Sequence, residues 1–503
     1  MASTFTGLNI SSAGLYSSQS AMYTTNSNIS NASTDGYSLQ NISTSAGQST
    51  LIYGNMSTSS GAQITDITRE RNVYYDMTFR DQTSVYQHWY SNSKTLTEIE
   101  GIFNEPSDEG LSALTSDFNN ALEDLTISPD NSAARASLLE AGNALCDTLN
   151  TTAEKLYTLQ SDLNSEIPMH VDHINSLAEQ IAYLNAEIDS VEQLGGNPNT
   201  LYDARDLLID DLSELTEVNV IDGDTGSQCR VLIDGYPVVS GSKVYAMEVY
   251  TDETLSDGSP QWDIRWEGNQ NPVKFNEGTI KSTLDLRDGT GTNNTYNGIP
   301  HFLNELDTFA QDLARSFNEG MDSEGNSLEN GHRSGYTENG DTDICFFTIN
   351  NMNSTDFIAS ASTLTETYDT VSALNISLSF DVEDTPEAIA VSSNPNEETN
   401  SETIESIIDV LSQSQLTQNG TLNDSLIMIQ TTLGIDASYA IRMESSELSL
   451  LEQAENNRLS VSSVSLDEEM TQLTQQEQLY TAAAQMIQVW QDIFDTTIRL
   501  IGG

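Results

Sequence analysis

Positive charge is what this chain most lacks. Eighteen Lys and Arg stand against 76 Asp and Glu, a formal charge of −58 over 503 residues. Nucleic acid and anionic membrane surfaces both need a basic footprint, so the balance argues against either as a partner and for a solvated, soluble surface. Cysteine is nearly absent too. Cys146, Cys229 and Cys345 are far apart and odd in number, which suits neither a zinc site nor a disulfide framework. Their expected place is inside, as small apolar side chains. No run of about 18 apolar residues occurs, so no membrane insertion is expected. The opening residues also lack the basic stretch and apolar core of a cleaved secretory leader.

Catalytic patterns are missing as well. The chain has no GxxxxGK, GxGxxG, GxSxG or HExxH. His170 and His173 could share a helix face, but a structural metal site wants four ligands and a supporting shell. Asp222, Asp224 and Gly226 resemble the start of a calcium loop, yet Ile233 falls where its closing Glu should stand. That segment reads as a hairpin turn. Carboxylates are abundant, but nothing marks out an acid pair for hydrolysis. No catalysis, cofactor or metal is therefore expected.

What is present is a seven-residue rhythm at both ends. Near the start it falls on Leu8, Leu15, Met22 and Ile29. Near the end it falls on Leu466, Leu473, Tyr480, Ile487, Phe494 and Ile501, with Met470, Ala484 and Ile498 between. A strict seven-residue apolar repeat keeps its seam in line when helices supercoil around each other. The opening stretch is also nearly uncharged: from Met1 to Ile64 the only charged side chain is Asp35. Like charges about 4 Å apart at intermediate dielectric cost about 4 kcal/mol, so copies of so acidic a chain should meet through such a segment. The thin, polar-spaced N-terminal stripe buries little by itself. Ordering costs about 1–2 kcal/mol per residue, so the ends are expected to gain order on assembly.

The expected fold is mainly α with an inserted β domain: discontinuous coiled-coil termini plus a long helical bundle. An N-terminal axial helix (1–40) pairs with a C-terminal coiled-coil helix (462–503). A helical bundle over 41–217 is completed by 284–320 and 400–461. Residues 218–283, where Trp262, Ile264 and Trp266 alternate, form the β-rich insert, and 321–399 a loop and β-leaning segment. Residues 38–68 read as extended or irregular connection, and Pro168 should start a new helix or kink a long one.

Several blocks resemble a known family. Asn28-Ile29-Ser30-Asn31-Ala32-Ser33-Thr34-Asp35-Gly36-Tyr37 is similar to the N-terminal signature of bacterial flagellar axial proteins (rod, hook and hook-associated), with Asp35 where that signature usually has Pro. The stretch from Val464 to Leu500 is similar to the partner segment of that family. Three interior blocks narrow the resemblance to hook-associated members: Phe103-Asn104-Glu105-Pro106, Phe118-Asn119-Asn120-Ala121-Leu122, and Asn197-Pro198-Asn199-Thr200-Leu201-Tyr202-Asp203-Ala204-Arg205-Asp206-Leu207-Leu208. The resemblance implies type III export to the flagellum and a ring of copies joining hook to filament. It implies hook protein and hook-associated protein 3 as neighbours, and an export chaperone over the C-terminal helix. The assembly interface would comprise Leu8, Leu15, Met22, Asn28, Ile29, Asn31, Gly36 and Tyr37, with Leu466, Met470, Leu473, Tyr480, Ile487, Phe494 and Ile498. Alternatives are another axial protein (hook-associated protein 3 or a hook protein) or an exported acidic hydrolase.

Overall fold

A computed structural model describes residues 5–501, apart from 54–55, 105–106, 108–109, 224–227, 256–257, 293–294, 396 and 398. Glu105, Pro106, Asp224 and Gly226 thus lie outside the described residues. The chain opens with helix α1 (Thr6–Asn31). Residues expected to be extended or irregular connection form a long antiparallel ribbon. Strand β1 (Gln40–Ala46) pairs with β4 (Ala62–Arg69), and β2 (Ser49–Tyr53) with β3 (Met56–Ser59). Exposed positions run on through Ser43 to Ala46, so no in–out alternation marked β1 as a strand. The ribbon packs on α1, and at its base Ile67 O is held by Asn197 and Asn199 of the helical body.

Helix α2 (Val73–Phe103) starts where the Asn72 side chain accepts the Tyr74 N–H, and it ends on left-handed Asn104 at φ 50°. Helix α3 (Leu111–Ile127) follows. Asn131 accepts the Ala133 N–H and caps α4 (Ser132–Gln193), a helix of 62 residues that is roughly 90 Å long at its rise per residue. Pro168 neither starts a helix nor ends one, because α4 runs through it. Packing holds the helix where the proline N–H is missing. Leu163 is buried in one hydrophobic core and Ile167 and Val171 in another, so both flanks are clamped.

Those two cores organise the body. The second one joins the far half of α4 to α5 (Asn199–Leu215) and to the β insert. The insert holds a four-stranded antiparallel sheet: β5 (Asn219–Ile221), β6 (Arg230–Ile233), β7 (Tyr236–Ser240) and β8 (Lys243–Val244), side by side in that order. A separate pair, β9 (Met247–Tyr250) and β10 (Asp263–Trp266), packs Ile264 and Trp266 into the same core. Three asparagines of α4 fasten the insert through its backbone. Asn164 donates to Pro260 O and accepts from Trp262 N, Asn175 bonds Met247 O and N, and Asn185 donates to Gly241 O.

After α6 (Thr279–Asp288), helix α7 (Ile299–Glu319) buries Phe302, Leu306, Phe309, Leu313 and Phe317 in the first core and ends on left-handed Gly320. The expected loop and β-leaning segment has one short pair, β11 (Phe347–Ile349) with β12 (Ile376–Leu378). It also has three short helices, α8 (Ser354–Ile358), α9 (Leu364–Asp369) and α10 (Phe380–Asp384), each started by a side-chain cap: Asn353, Thr363 and Ser379. Helices α11 (Glu402–Ser412) and α12 (Leu422–Ser462) complete the first core, and α12 runs back along α2. Three residues later α13 (Leu466–Ile501) lies along α1. The architecture is mainly α with an inserted β region. Among the described residues, no helix is long and apolar enough to cross a membrane.

Candidate functional site

The two terminal helices run antiparallel. Phe5 stacks near Phe494 with ring centroids 5.0 Å apart, Gly7 faces Trp490, Gly14 faces Ala483, and Asn28 bonds Glu469. The face that α1 buries is polar and small: Ser11, Ser18, Thr24, Thr25 and Asn28. Its hydroxyls cost little to bury where they bond their own helix, as Ser11 does to Gly7 O and Thr24 to Ser20 O. Small residues let the helix axes approach, and α13 fills the space with bulk. A Cβ on Gly7 would stand 2.0 Å from the Trp490 indole.

The sequence stripes take several positions on this pair. Leu473, Tyr480, Ile487 and Phe494 are half-buried, with Gln476, Ala483, Ala484 and Trp490 between them at helical spacing. Leu466, Met470 and Ile498 are exposed, the last to 68%. On α1, Leu8, Leu15, Met22 and Ile29 are half-buried along a flank beside the small-residue face. A second repeat on α13, missed in the sequence, is exposed: Leu479, Met486, Ile493 and Leu500, one position before each beat of the first.

Below the helices, the signature residues converge on Asn28, which is 1% exposed. Its Nδ2 donates to Gln40 O and to Glu469 Oε2, both at 3.0 Å. Its Oδ1 accepts from the Tyr37 hydroxyl at 2.9 Å and from Gln40 N at 3.2 Å. An amide has two donors and two acceptor lone pairs, so all are satisfied, and one side chain ties α1, its turn, β1 and α13 together. Burial raises the Tyr37 phenol above its ordinary value. Asn31 donates to Ser27 O and accepts from Thr34 Oγ1, closing the helix end. Gly36, at φ 75°, turns the chain against Leu207, and the Ser38 hydroxyl donates to Asp203 at 2.7 Å.

Leu207 and Asp203 belong to the interior block quoted above, which sequence reasoning used only as a likeness. In the structure it is the joint between terminal pair and body. Asp203, Asp206 and Asp210 are spaced to share one face of α5. Arg69, leaving the ribbon, reaches Asp203 at 2.9 Å and Asp206 at 2.8 Å. Arg71 binds Asp76 at 2.6 Å and Asp206 at 3.3 Å. Arg80 of α2 and Arg458 of α12 both hold Asp210 at 2.6 Å. Arg69 and Arg205 lie over the Tyr202 ring, and Arg458 over Phe79. Asn197 and Asn199 donate to Ile67 O. Burial alone would raise the Asp206 carboxyl, but the guanidiniums of Arg71, Arg69, Arg80 and Arg205 outweigh it and hold it at about 2. The available signal was the clustering of scarce arginines with aspartates at helical spacing.

Burial, with a smaller push from Lys281, lowers His88 to about 4. Burial also lowers His332 to about 4, against its hydrogen bond with Ile344 O. Burial and His173 lower His170. Asp222 pairs with Arg205 at 3.0 Å. The three cysteines are free and buried, and burial pushes the thiols of Cys229 and Cys345 up to about 12. Among the described residues, no group of three or more His, Cys, Asp or Glu is placed to hold a metal ion. The arrangement is suited to fastening helices together.

Comparison with known proteins gives concordant matches. A family model described as the flagellar hook-associated protein FlgK helical domain matches residues 96–347. One described as the flagellar basal body rod FlgEFG protein C-terminal matches residues 455–500. The chain is 28% identical to flagellar hook-associated protein 1 of Bacillus subtilis, over 100% of this chain and 99% of that relative. It is 24% identical to the protein of that name from Escherichia coli, over 98% of this chain and 99% of the relative. A solved structure of the flagellar hook junction protein FlgK from Burkholderia pseudomallei shares its fold, with a TM-score of 0.61 at 13% identity, covering 77% of this chain and 100% of that one.

Proposed function

We propose a function from one premise: the chain belongs to the flagellar hook-associated protein FlgK family, whose helical-domain model spans half of it. It is a structural protein of the bacterial flagellum and assembles with other flagellar components outside the cell. In our reading it joins hook to filament. Residues 1–40 and 462–503 build the axial unit. Residues 41–217, 284–320 and 400–461 build the shell, to whose core 321–399 contributes Phe346, Phe347 and Tyr368, and the insert at 218–283 faces outward. The observation that carries this reading is the joint. Asn28 and the arginine–aspartate cluster fix the terminal pair to the body, so force on one passes to the other.

The proposed neighbours are copies of the same chain, hook protein and hook-associated protein 3. Before export, the exposed C-terminal stripe of Leu479, Met486 and Ile493 calls for a chaperone against self-association. We assign no catalysis, since the conspicuous carboxylates serve as struts and the buried His and Cys stay neutral. A deletion strain should keep its hooks and spill filament protein into the medium. Normal filaments in that strain would sink the reading. In the complemented strain, Ile487→Asp combined with Phe494→Asp should leave the body folded yet keep the chain out of flagella.

A further inference from the structure

We propose that the β insert binds a short neutral oligosaccharide of glucose-type rings, in a groove between its four-stranded sheet and the β9–β10 pair. The groove has a volume of about 500 Å³, and Tyr236, Lys243, Tyr245, Trp266, Glu267 and Asn269 line it. That is the size of a small-molecule site, about 300–1,000 Å³. Local structure fixes its walls. The β6–β7 register slips by one residue at Val238, and such a bulge re-aims the side chains beside it, here Tyr236. The Tyr245 N–H donates to Val238 O, and the Glu267 N–H donates to Ala246 O. Asn185 and Asn175 of α4 hold Gly241 and Met247, on either side of residues 243–246. Gln270, left-handed at φ 58°, closes the turn that carries Glu267 and Asn269. A groove held in this way is formed before its ligand arrives, so little binding energy is lost in ordering it.

The side chains set the ligand's chemistry. Tyr236 and Tyr245 are 47% and 39% exposed. Each ring is braced: Tyr236 by Trp266 at 6.0 Å between centroids, and Tyr245 by the Lys243 ammonium 4.6 Å from its own. Their free surface offers π faces to the C–H bonds of a sugar ring. Glucose-type rings, with every hydroxyl equatorial, present the most C–H surface. Around the tyrosines stand two phenol hydroxyls, the Lys243 ammonium, the Glu267 carboxylate and the Asn269 amide, a rim of donors and acceptors. Arg265, by contrast, is already taken up by Glu248 and the Tyr250 ring. A purely apolar ligand would strip water from that rim and leave it unpaired. Lys243 would repel a cation, while Glu267, in a chain of net −58, would repel an anion. With one charge of each sign the lining is itself neutral. Apolar faces edged with hydroxyls, and no net charge, are the properties of a neutral sugar.

Titration of the free full-length chain with cellotetraose, a neutral β-linked glucose oligomer, tests the site, because the groove needs no second copy. In saturation-transfer NMR the native chain should mark the ring C–H protons on one face of the sugar more strongly than those on the other. Tyr236→Ala and Tyr245→Ala should each weaken the affinity about three- to tenfold, as loss of one stacked ring does, and Tyr236→Phe should keep it. The urea midpoint of each variant shows whether it is folded, and the native-chain spectrum decides the matter without any variant. Tetragalacturonate, an acidic counterpart, and a proline-rich peptide, which also favours aromatic grooves, are titrated alongside. Absence of cellotetraose binding, saturation spread evenly over the sugar, or an affinity unchanged in both folded alanine variants would overturn the proposal. So would tighter binding of the acid or of the peptide.

Discussion

Helices α7 and α1 are of similar length, 21 and 26 residues, yet they bury opposite kinds of side chain. Helix α7 buries Phe302, Leu306, Phe309, Leu313 and Phe317 around an aromatic cluster in which Phe317 and Phe346 are 4.7 Å apart. Helix α1 buries Ser11, Ser18, Thr24, Thr25 and Asn28. The first face stabilises itself, at about 1.5–3 kcal/mol per large apolar side chain. The second gains close approach and geometry, and little hydrophobic free energy. The difference teaches that the body folds on its own account, whereas the terminal pair keeps apolar surface back for further contacts.

The largest break in that contrast should come from the body. Phe317→Ala should cost about 3–5 kcal/mol and lower the midpoint of urea unfolding; an unchanged midpoint would contradict a self-sufficient core. Next is the joint. Asp206→Asn leaves arginines without their carboxylate, a loss of about 3 kcal/mol felt locally. Protease should then cut more readily near residues 60–72 and 455–465, while the body's unfolding transition stays put. If cleavage there is unaltered, the joint does not depend on Asp206.

Acid should do in part what that substitution does. The folded Asp206 carboxyl is depressed to about 2, below the ordinary unfolded value near 3.9. Its contribution, about 2–3 kcal/mol, is therefore fully present above pH 4 and is lost as pH falls towards 2. Joint cleavage by an acid-active protease should rise across that window in the native chain and stay flatter in Asp206→Asn. The smallest effect sharpens the contrast without a substitution. Amide exchange in the free chain should be faster across α1 than across α7, and should slow across α1 on assembly. Equal protection in the free chain would remove the contrast.

Much of the fold was legible because its signals are local. Asn131 caps α4, Asn104 takes the left-handed position that ends α2, and Gly36 takes the positive φ that turns the signature. The Leu473 to Phe494 repeat marked the side of α13 that meets α1. The pairing of the ribbon was illegible because β1 is solvated from Ser43 to Ala46 and does not alternate. Pro168 lies inside the long α4, the second of the two places expected for it, and there the local penalty of a proline is offset by the non-local packing of Leu163 and Val171. The site was half legible. The signature marked Asn28, but not that its four hydrogen bonds join three elements, one of them 441 residues away in sequence.

The sequence by itself determined that both ends are helices with seven-residue stripes, that the opening helix is uncharged, and that basic residues are scarce. Those are properties of composition and period. Only the tertiary structure decided which face α1 turns inward. Seven-residue spacing is shared by Leu15 and by Ser18, and apolarity alone would have chosen the leucine. Trp490 on α13 needs room, so α1 presents Gly7 to it, buries Ser11 and Ser18, and leaves its leucines half-buried on the flank. Which scarce arginines would meet Asp206 was decided the same way, because chain segments from residue 69 to 458 reach one place only after the helices have packed.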